Sequence, residues 1–199
     1  MPLIDLNTRQ IFFIHIPKTS GSSLYYNLKK LEKDCVSVRG HVDGIPLTHL
    51  HVEMAEKHWP DYYSYQKFTI VREPKQRLLS GYLYHKKHTE TLEDFDQWFS
   101  KLCVMLDNNR SWMRNHFRPQ VDFIPKDTKI FDIEEQDTIY TWLSDYLNIE
   151  IPHGIVRNKQ PTDIDNTSID IFDYMSDNNI DKFNSLYSKD IDMHKDLTT

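Results

Sequence analysis

Ile11-Phe12-Phe13-Ile14-His15-Ile16-Pro17-Lys18-Thr19-Ser20-Gly21-Ser22-Ser23-Leu24 is the stretch on which the fold turns. A run of β-branched and aromatic residues gives way to a short loop of small polar residues. A helical pattern follows at once: Leu24, Leu28 and Leu31 fall at i, i+4 and i+7, on one face of a helix predicted from Ser22 to Lys33. Gln10–Ile16 is almost continuously apolar, as in a strand buried on both faces of a parallel sheet. His15 interrupts it and reads as a core or sheet-end histidine. Such a strand, polar turn and helix form a place for an anion. The first N–H groups of the helix lack intrahelical acceptors, the macrodipole favours negative charge, and Lys18 adds a full positive charge. Ser22 or Ser23 is placed to cap the first turn.

Outward from this unit, residues 1–9 read as a polar lead-in, Val36–Val38 as a short strand and Gly40–Thr48 as a loop. Thr48 to about Trp59 is predicted helical, with Leu50, Met54 and Ala55 inward and Pro60 at its end. It carries His49 and His51. Gln66–Val71 is a second buried strand. It ends at Arg72-Glu73-Pro74, where a helix opens with Leu78, Leu79, Tyr82 and Leu83 at helical spacing and Pro74 at a favourable first position. Thr91-Leu92-Glu93-Asp94 resembles a capping box ahead of the apolar stripe Leu92, Phe95, Phe99, Leu102 and Leu106. Thr128–Ile133 reads as a third strand, Asp137–Leu147 as a helix, Ile151–Thr167 as loop, and Asn179 to about Lys189 as a terminal helix. Strands alternate with helices, and no repeat or linker divides residues 1–199. The expectation is one α/β domain with a central, mainly parallel sheet flanked by helices. Ligands bind such sheets beyond the carboxyl ends of the strands, where both polar turns fall.

Composition narrows the function classes. A net charge of −6 argues against a nucleic-acid binder that relies on overall positive charge, though not against a local basic cleft. With only Cys35 and Cys103, a disulfide scaffold is excluded, and no CxxC metal spacing exists. The N-terminus shows no basic region followed by an apolar one, and the longest apolar run is far too short to cross a bilayer. A soluble, cytoplasmic protein with no membrane span is expected.

The loop at Lys18 is not a Walker A motif, because its lysine precedes Gly21 rather than following a second glycine. The second turn, Val71-Arg72-Glu73-Pro74-Lys75-Gln76-Arg77-Leu78-Leu79-Ser80-Gly81-Tyr82, strengthens the anion reading. Arg72 leaves the end of a buried strand, where its planar fork suits a phosphate. Ser80, about two helical turns on, offers a hydroxyl from the same side. Arg77 has two readings: a phosphate contact, or a surface ion pair with Glu73 at i−4.

Together, Ile16–Leu24 and Val71–Tyr82 resemble the 5′-phosphosulfate loop and the 3′-phosphate motif of sulfotransferases that use 3′-phosphoadenosine 5′-phosphosulfate (PAPS), in the branch acting on carbohydrates and in bacteria. The family loop usually runs Pro-Lys-Thr-Gly-Gly-Thr-Ser-Leu, and its second motif Val-Arg-x-Pro-x-x-Arg-x-x-Ser-x-Tyr. Phe117-Arg118-Pro119-Gln120, Ile130–Glu134, Asn158-Lys159 and Tyr187-Ser188-Lys189-Asp190 resemble later family segments more loosely. Ser20 stands where the family usually has glycine. If that position needs positive φ, serine carries a strain that glycine avoids.

The resemblance implies a P-loop-like three-layer fold and assigns roles. Lys18 and the backbone N–H groups of Thr19, Ser20, Gly21, Ser22 and Ser23 hold the 5′-phosphosulfate, and Lys18 also meets charge growing on the bridging oxygen. Arg72 and Ser80 hold the 3′-phosphate. No metal is expected in this family, and His49 and His51, at i and i+2, do not share a helix face. The acceptor is a hydroxyl, of a carbohydrate by family likeness. A histidine is the natural general base near neutral pH. His41, His49, His51, His85, His88 and His116 are the candidates; family layout favours His49, with His51 and His41 as alternatives. Two other classes compete: a P-loop-like kinase using ATP, and a PAPS- or glycan-binding module without catalysis.

Overall fold

The computed structural model describes residues 3–6, 9–31, 40–89, 93–151 and 169–199. The predicted strand Val36–Val38, Cys35, Thr91-Leu92 of the expected capping box, and nearly all of Ile151–Thr167, including Asn158-Lys159, lie outside the described residues.

A four-stranded sheet organises the chain, in the order β1 (Leu3–Leu6), β2 (Arg9–Ile14), β5 (Gln66–Val71), β6 (Thr128–Asp132). β2, β5 and β6 run parallel, with Phe13 beside Phe68 and Thr69 beside Ile130. β1 is an antiparallel edge, pairing Ile4 with Ile11. This edge strand lies within what the sequence presents as a polar lead-in: four residues next to polar neighbours carry too little pattern to announce a strand. β2 stops at Ile14, so His15 and Ile16 already belong to the turn.

The two sheet faces sort by alternation. Ile11, Phe13, Phe68 and Ile70 pack against Leu24 and Leu28 of α1 (Gly21–Leu31) and against Ile139, Leu143 and Leu147 of α5 (Gln136–Leu147). Asn27 of α1 donates to the Tyr140 hydroxyl of α5 at 2.6 Å, joining the two helices above the sheet. Phe12, Ile14 and Val71 face the other way, onto Leu47, Leu50, Tyr62, Phe123 and Ala55 of α2 (Val52–His58). Helices thus cover both faces, the expected three-layer α/β arrangement. A further cluster joins α3 (Pro74–Thr89), α4 (Phe95–Asn108) and α6 (Asp177–Leu186) through Leu79, Tyr82, Trp98, Phe99 and Phe183.

Several boundaries differ from expectation for local reasons. Gly40–Thr48 contains a short hairpin, β3 (His41–Val42) with β4 (Ile45–Pro46), turned at Asp43 and Gly44 with positive φ. The helix expected from Thr48 is a 3₁₀ turn at Leu47–His49, then extended Leu50 and His51, and α-helix only from Val52. That break sends Leu50 into the core and leaves His51 at the helix N-cap. α4 is capped by Asp94, which accepts from the Gln97 N–H at 2.9 Å. The terminal helix is two: α6 ends at Leu186, and α7 (Ser188–Thr198) continues beyond a bend at Tyr187. No helix among the described residues is long and apolar enough to cross a membrane.

Candidate active site

The turn Pro17–Ser20 links β2 to α1 at the carboxyl end of the sheet. Lys18 and Ser20 both lie in the left-handed region, with φ of 72° and 62°. Ser20 therefore carries the strain that its replacement of glycine implied. The Thr19 side chain is turned inward, fully buried, with its hydroxyl donating to Ile16 C=O at 2.8 Å, so only its backbone N–H is left for a ligand. The Ser20 carbonyl accepts from the N–H groups of Ser23 and Leu24 and starts α1. The orphan N–H groups of the first turn open beyond the sheet. Gly21 is required by close approach: a Cβ there would lie 2.0 Å from the His15 ring. His15 thus lies against the helix start, at the sheet end.

The second turn sits beside the first because β5 neighbours β2. Glu73 caps α3, its carboxylate accepting from the Gln76 N–H at 2.7 Å. It makes no ion pair with Arg77. Arg77 is instead 3% exposed, and its guanidinium donates to three carbonyls: Pro17 at 3.0 Å, Arg118 at 3.0 Å and His116 at 3.1 Å. Neither sequence reading of Arg77, phosphate contact or surface pair, describes it. It ties the first loop to the segment 115–121, and no i,i+4 pattern announces such a partner.

That segment is a brace reached from four sides. Gln120, fully buried, bonds Arg72 twice, accepting from its N–H at 3.0 Å and donating to its C=O at 2.8 Å. Asn115 donates from Nδ2 to His49 C=O at 2.8 Å. Asp190 of α7 accepts from the N–H groups of Gln120 and Val121 at 2.8 and 3.0 Å. The Tyr187 hydroxyl donates to Phe117 C=O at 2.8 Å. Phe117 itself lies against Gly81 of α3, where a Cβ would meet its ring at 2.4 Å. The Phe117–Gln120 and Tyr187–Asp190 stretches, weak as motifs, are where the chain holds its two strand-end turns in register.

Lys18 reaches over the Tyr84 ring of α3, with Nζ 4.2 Å from its centroid. Burial, reinforced by Arg72 and Arg77, lowers its pKa to about 8. Arg72 is half-buried; burial lowers its pKa while Glu134, Glu73 and Asp132 oppose the shift. Asp132 Oδ2 lies 2.9 Å from His194 Nε2 of α7, its Oδ1 accepts from the Glu134 N–H, and Glu73 is engaged in capping α3. A cavity of about 400 Å³ opens here, lined by Arg72, Gln76, Asp132, Ile133, Glu134 and His194. Ile133 also lines a narrower slot with Ser20, Ser23, Leu24 and Tyr140, so one groove edge runs from the first turn to the second. Ser80 is half-buried on α3, one turn beyond Gln76. Ser22 is exposed at the start of α1.

Three imidazoles meet next to Lys18. The His15 and His49 rings are 5.1 Å apart and those of His49 and His116 5.3 Å apart, and His116 lies 5.3 Å from Tyr84. Burial is the first cause that keeps all three neutral: His15 and His116 are lowered to about 3 and His49 well below its ordinary value. Among the described residues, Nδ1 of His49 and Nδ1 of His116 are buried without a hydrogen-bond partner. His51 is 7% exposed at the α2 N-cap, its pKa lowered by burial and then by Arg118, with Glu53 and Asp122 opposing. His41 is exposed on the hairpin. His85 accepts from Trp98 Nε1 at 3.2 Å, and His88 packs on Tyr84. Of the sequence candidates, then, His116 lies at the Tyr84 face that carries Lys18, and His49 packs against His116.

A model described as the Sulfotransferase family matches residues 3–193 of this chain. No curated protein and no solved structure matches it.

Proposed function

The chain belongs to the sulfotransferase family, and on that premise we propose that it moves a sulfuryl group from PAPS to an acceptor hydroxyl of a carbohydrate. The observation that carries this reading is the convergence of two anion turns and neutral histidines. Lys18 projects from a left-handed turn at a helix start, and Arg72 from the next strand. His49 packs on His116, whose ring meets the Tyr84 face that carries Lys18, and the His49 Nδ1 has no hydrogen-bond partner among the described residues.

In this reading the N–H groups of Thr19 to Ser22 and Lys18 hold the 5′-phosphosulfate, and Arg72 with Ser80 holds the 3′-phosphate; the Ser23 N–H, expected from the sequence to join them, is taken by the Ser20 carbonyl at 2.9 Å. The first loop fits that donor, offering N–H donors and no carboxylate, and the groove between the turns is bordered by apolar Leu24 and Ile133; at the other end Arg72 would meet the 3′-phosphate in a cavity also lined by Glu73, Asp132, Glu134 and Glu135. The donor supplies an activated sulfuryl group. His49 takes the acceptor proton, and its neutral imidazole has the free nitrogen this requires. Lys18 meets the charge that develops on the departing phosphate oxygen, a stabilisation exerted mainly in the transition state. The alternative bases are His51, held at the α2 N-cap, and His41, exposed on the hairpin; neither joins the imidazole group beside Lys18.

Calorimetry with 3′-phosphoadenosine 5′-phosphate and with ATP tests the donor. Clear preference for the bisphosphate is expected, and Arg72→Ala should remove most of it. Preference for ATP would replace this reading with a kinase.

A further inference from the structure

We propose that His116 is a second catalytic residue of this site, its Nδ1–H donating a hydrogen bond to an oxygen of the sulfuryl group during transfer. The proposal rests on the sulfuryl-transfer reading above and adds to it a residue that lies outside both strand-end motifs.

Four observations converge on His116. Its Nδ1 is buried without a partner among the described residues, and a buried polar nitrogen is costly unless a ligand completes it. Its ring stands between the two groups that the reaction needs, 5.3 Å from His49 and 5.3 Å from Tyr84, whose face carries the Lys18 ammonium at 4.2 Å. Its backbone is fixed by the Arg77 bond to its carbonyl at 3.1 Å, from the same guanidinium that grips Pro17 of the donor loop. Finally, it follows three consecutive non-glycine residues in the left-handed region: Met113, Arg114 and Asn115, with φ of 52°, 58° and 67°. Such a turn persists only where the surroundings impose it, and strain of this kind gathers at functional sites. Here Asn115 anchors the turn by bonding His49 C=O. The chain therefore holds one strained turn that sets His116 and His49 against each other.

Burial, with His49 and Lys18 adding to it, keeps the His116 ring neutral, lowered to about 3. A neutral ring carries one N–H, so His116 is a donor and not a source of protons. In the transfer, the acceptor oxygen forms a bond to sulfur while the bond from sulfur to the 5′-phosphate oxygen breaks. The hydroxyl proton passes to His49. The electron pair of the broken bond stays on the phosphate oxygen, opposite Lys18. His116 gives a hydrogen bond to a non-bridging sulfuryl oxygen and keeps its proton. His49 needs a bare nitrogen facing the acceptor and His116 a protonated one facing sulfur, which gives two neighbouring imidazoles different tasks.

The test compares His116→Ala and His116→Asn in the whole chain, because the asparagine amide can place an N–H near the position of imidazole Nδ1. Loss of one such donor lowers kcat by about 10²–10³-fold, and this is expected for the alanine variant. The asparagine variant should recover at least tenfold of it. Affinity for 3′-phosphoadenosine 5′-phosphate, which has no sulfuryl group, should change by less than about threefold in both. The acidic limb of the pH–rate profile, set by His49, should stay in place. A loss under tenfold in the alanine variant, equal losses in both variants, or a fall in bisphosphate affinity that matches the fall in kcat would overturn the proposal. Wild-type protein that binds the bisphosphate but transfers no sulfuryl group would overturn the reaction itself, a result seen without any variant.

Discussion

At the scale of single residues, Lys18 joins the role proposed for it to a conformational and electrostatic cost. Its turn places two non-glycine residues, Lys18 and Ser20, in the left-handed region, each at roughly 1–2 kcal/mol. The ammonium is brought among Arg72 and Arg77 as well, and burial followed by these two charges lowers its pKa to about 8 from 10.5. Two opposite pH trends follow. In the proposed reaction Lys18 acts in its charged form, so kcat/KM for the donor should fall as pH rises through about 8, in a range where an ordinary lysine is still protonated. Stability should move the other way, because the unfolded chain binds more protons than the folded one between about 8 and 10.5, where stability rises with pH. Denaturation of wild type and Lys18→Met across this range reads the second trend: the methionine protein should be the more stable below pH 8, and its advantage should shrink above it. A constant difference would mean that Lys18 titrates normally. The sequence anticipated the tension at Ser20 from glycine chemistry alone; the lowered pKa of Lys18 was out of its reach, because the neighbouring arginines come from 54 and 59 residues further along the chain.

At the scale of elements, the brace 115–121 does what neither strand-end motif does alone. Arg77 is its strongest tie, with three carbonyl acceptors drawn from the loop and the brace. Arg77→Lys keeps the charge but cannot span three carbonyls, and should cost on the order of 3 kcal/mol, read as a shift of the urea midpoint without change of slope. A loss below about 1 kcal/mol would show that the fork is not what holds the loop. This tie was illegible in sequence because helix spacing suggests only partners at i±3 and i±4. Glu73 sits at that spacing, yet its carboxylate is taken up in capping α3. The elements themselves were legible. β5 matches the predicted Gln66–Val71 from end to end, and α5 differs from expectation by one residue, since alternation and 3.6-residue stripes are local properties. The helix across His49–His51 failed for a different reason: tertiary packing of Leu50 broke the pattern that Leu50 and Met54 had suggested.

At the scale of the whole molecule, the C-terminal helices reach back to the site. Asp190 is 1% exposed and takes the N–H groups of Gln120 and Val121, while Gln120 clamps Arg72. Asp190→Ala should therefore weaken binding of 3′-phosphoadenosine 5′-phosphate several-fold as well as destabilise the fold, although Asp190 lies far along the chain from Arg72. Unchanged affinity at a temperature where the variant is folded would show that the brace does not set the Arg72 position. What the sequence by itself determined was the alternation of buried strands and amphipathic helices, the two strand-end turns with Lys18 and Arg72, and the family to which they point. All of these depend on residues within one or two turns of each other. Only the tertiary structure decided which histidines stand beside Lys18, why Arg77 is buried, and that Asn115, Gln120, Tyr187 and Asp190 hold the site in register. Those choices rest on hydrogen bonds and ring contacts between segments tens of residues apart. Parallel strands β2, β5 and β6 bring the segments together, and no periodicity along the chain records that meeting.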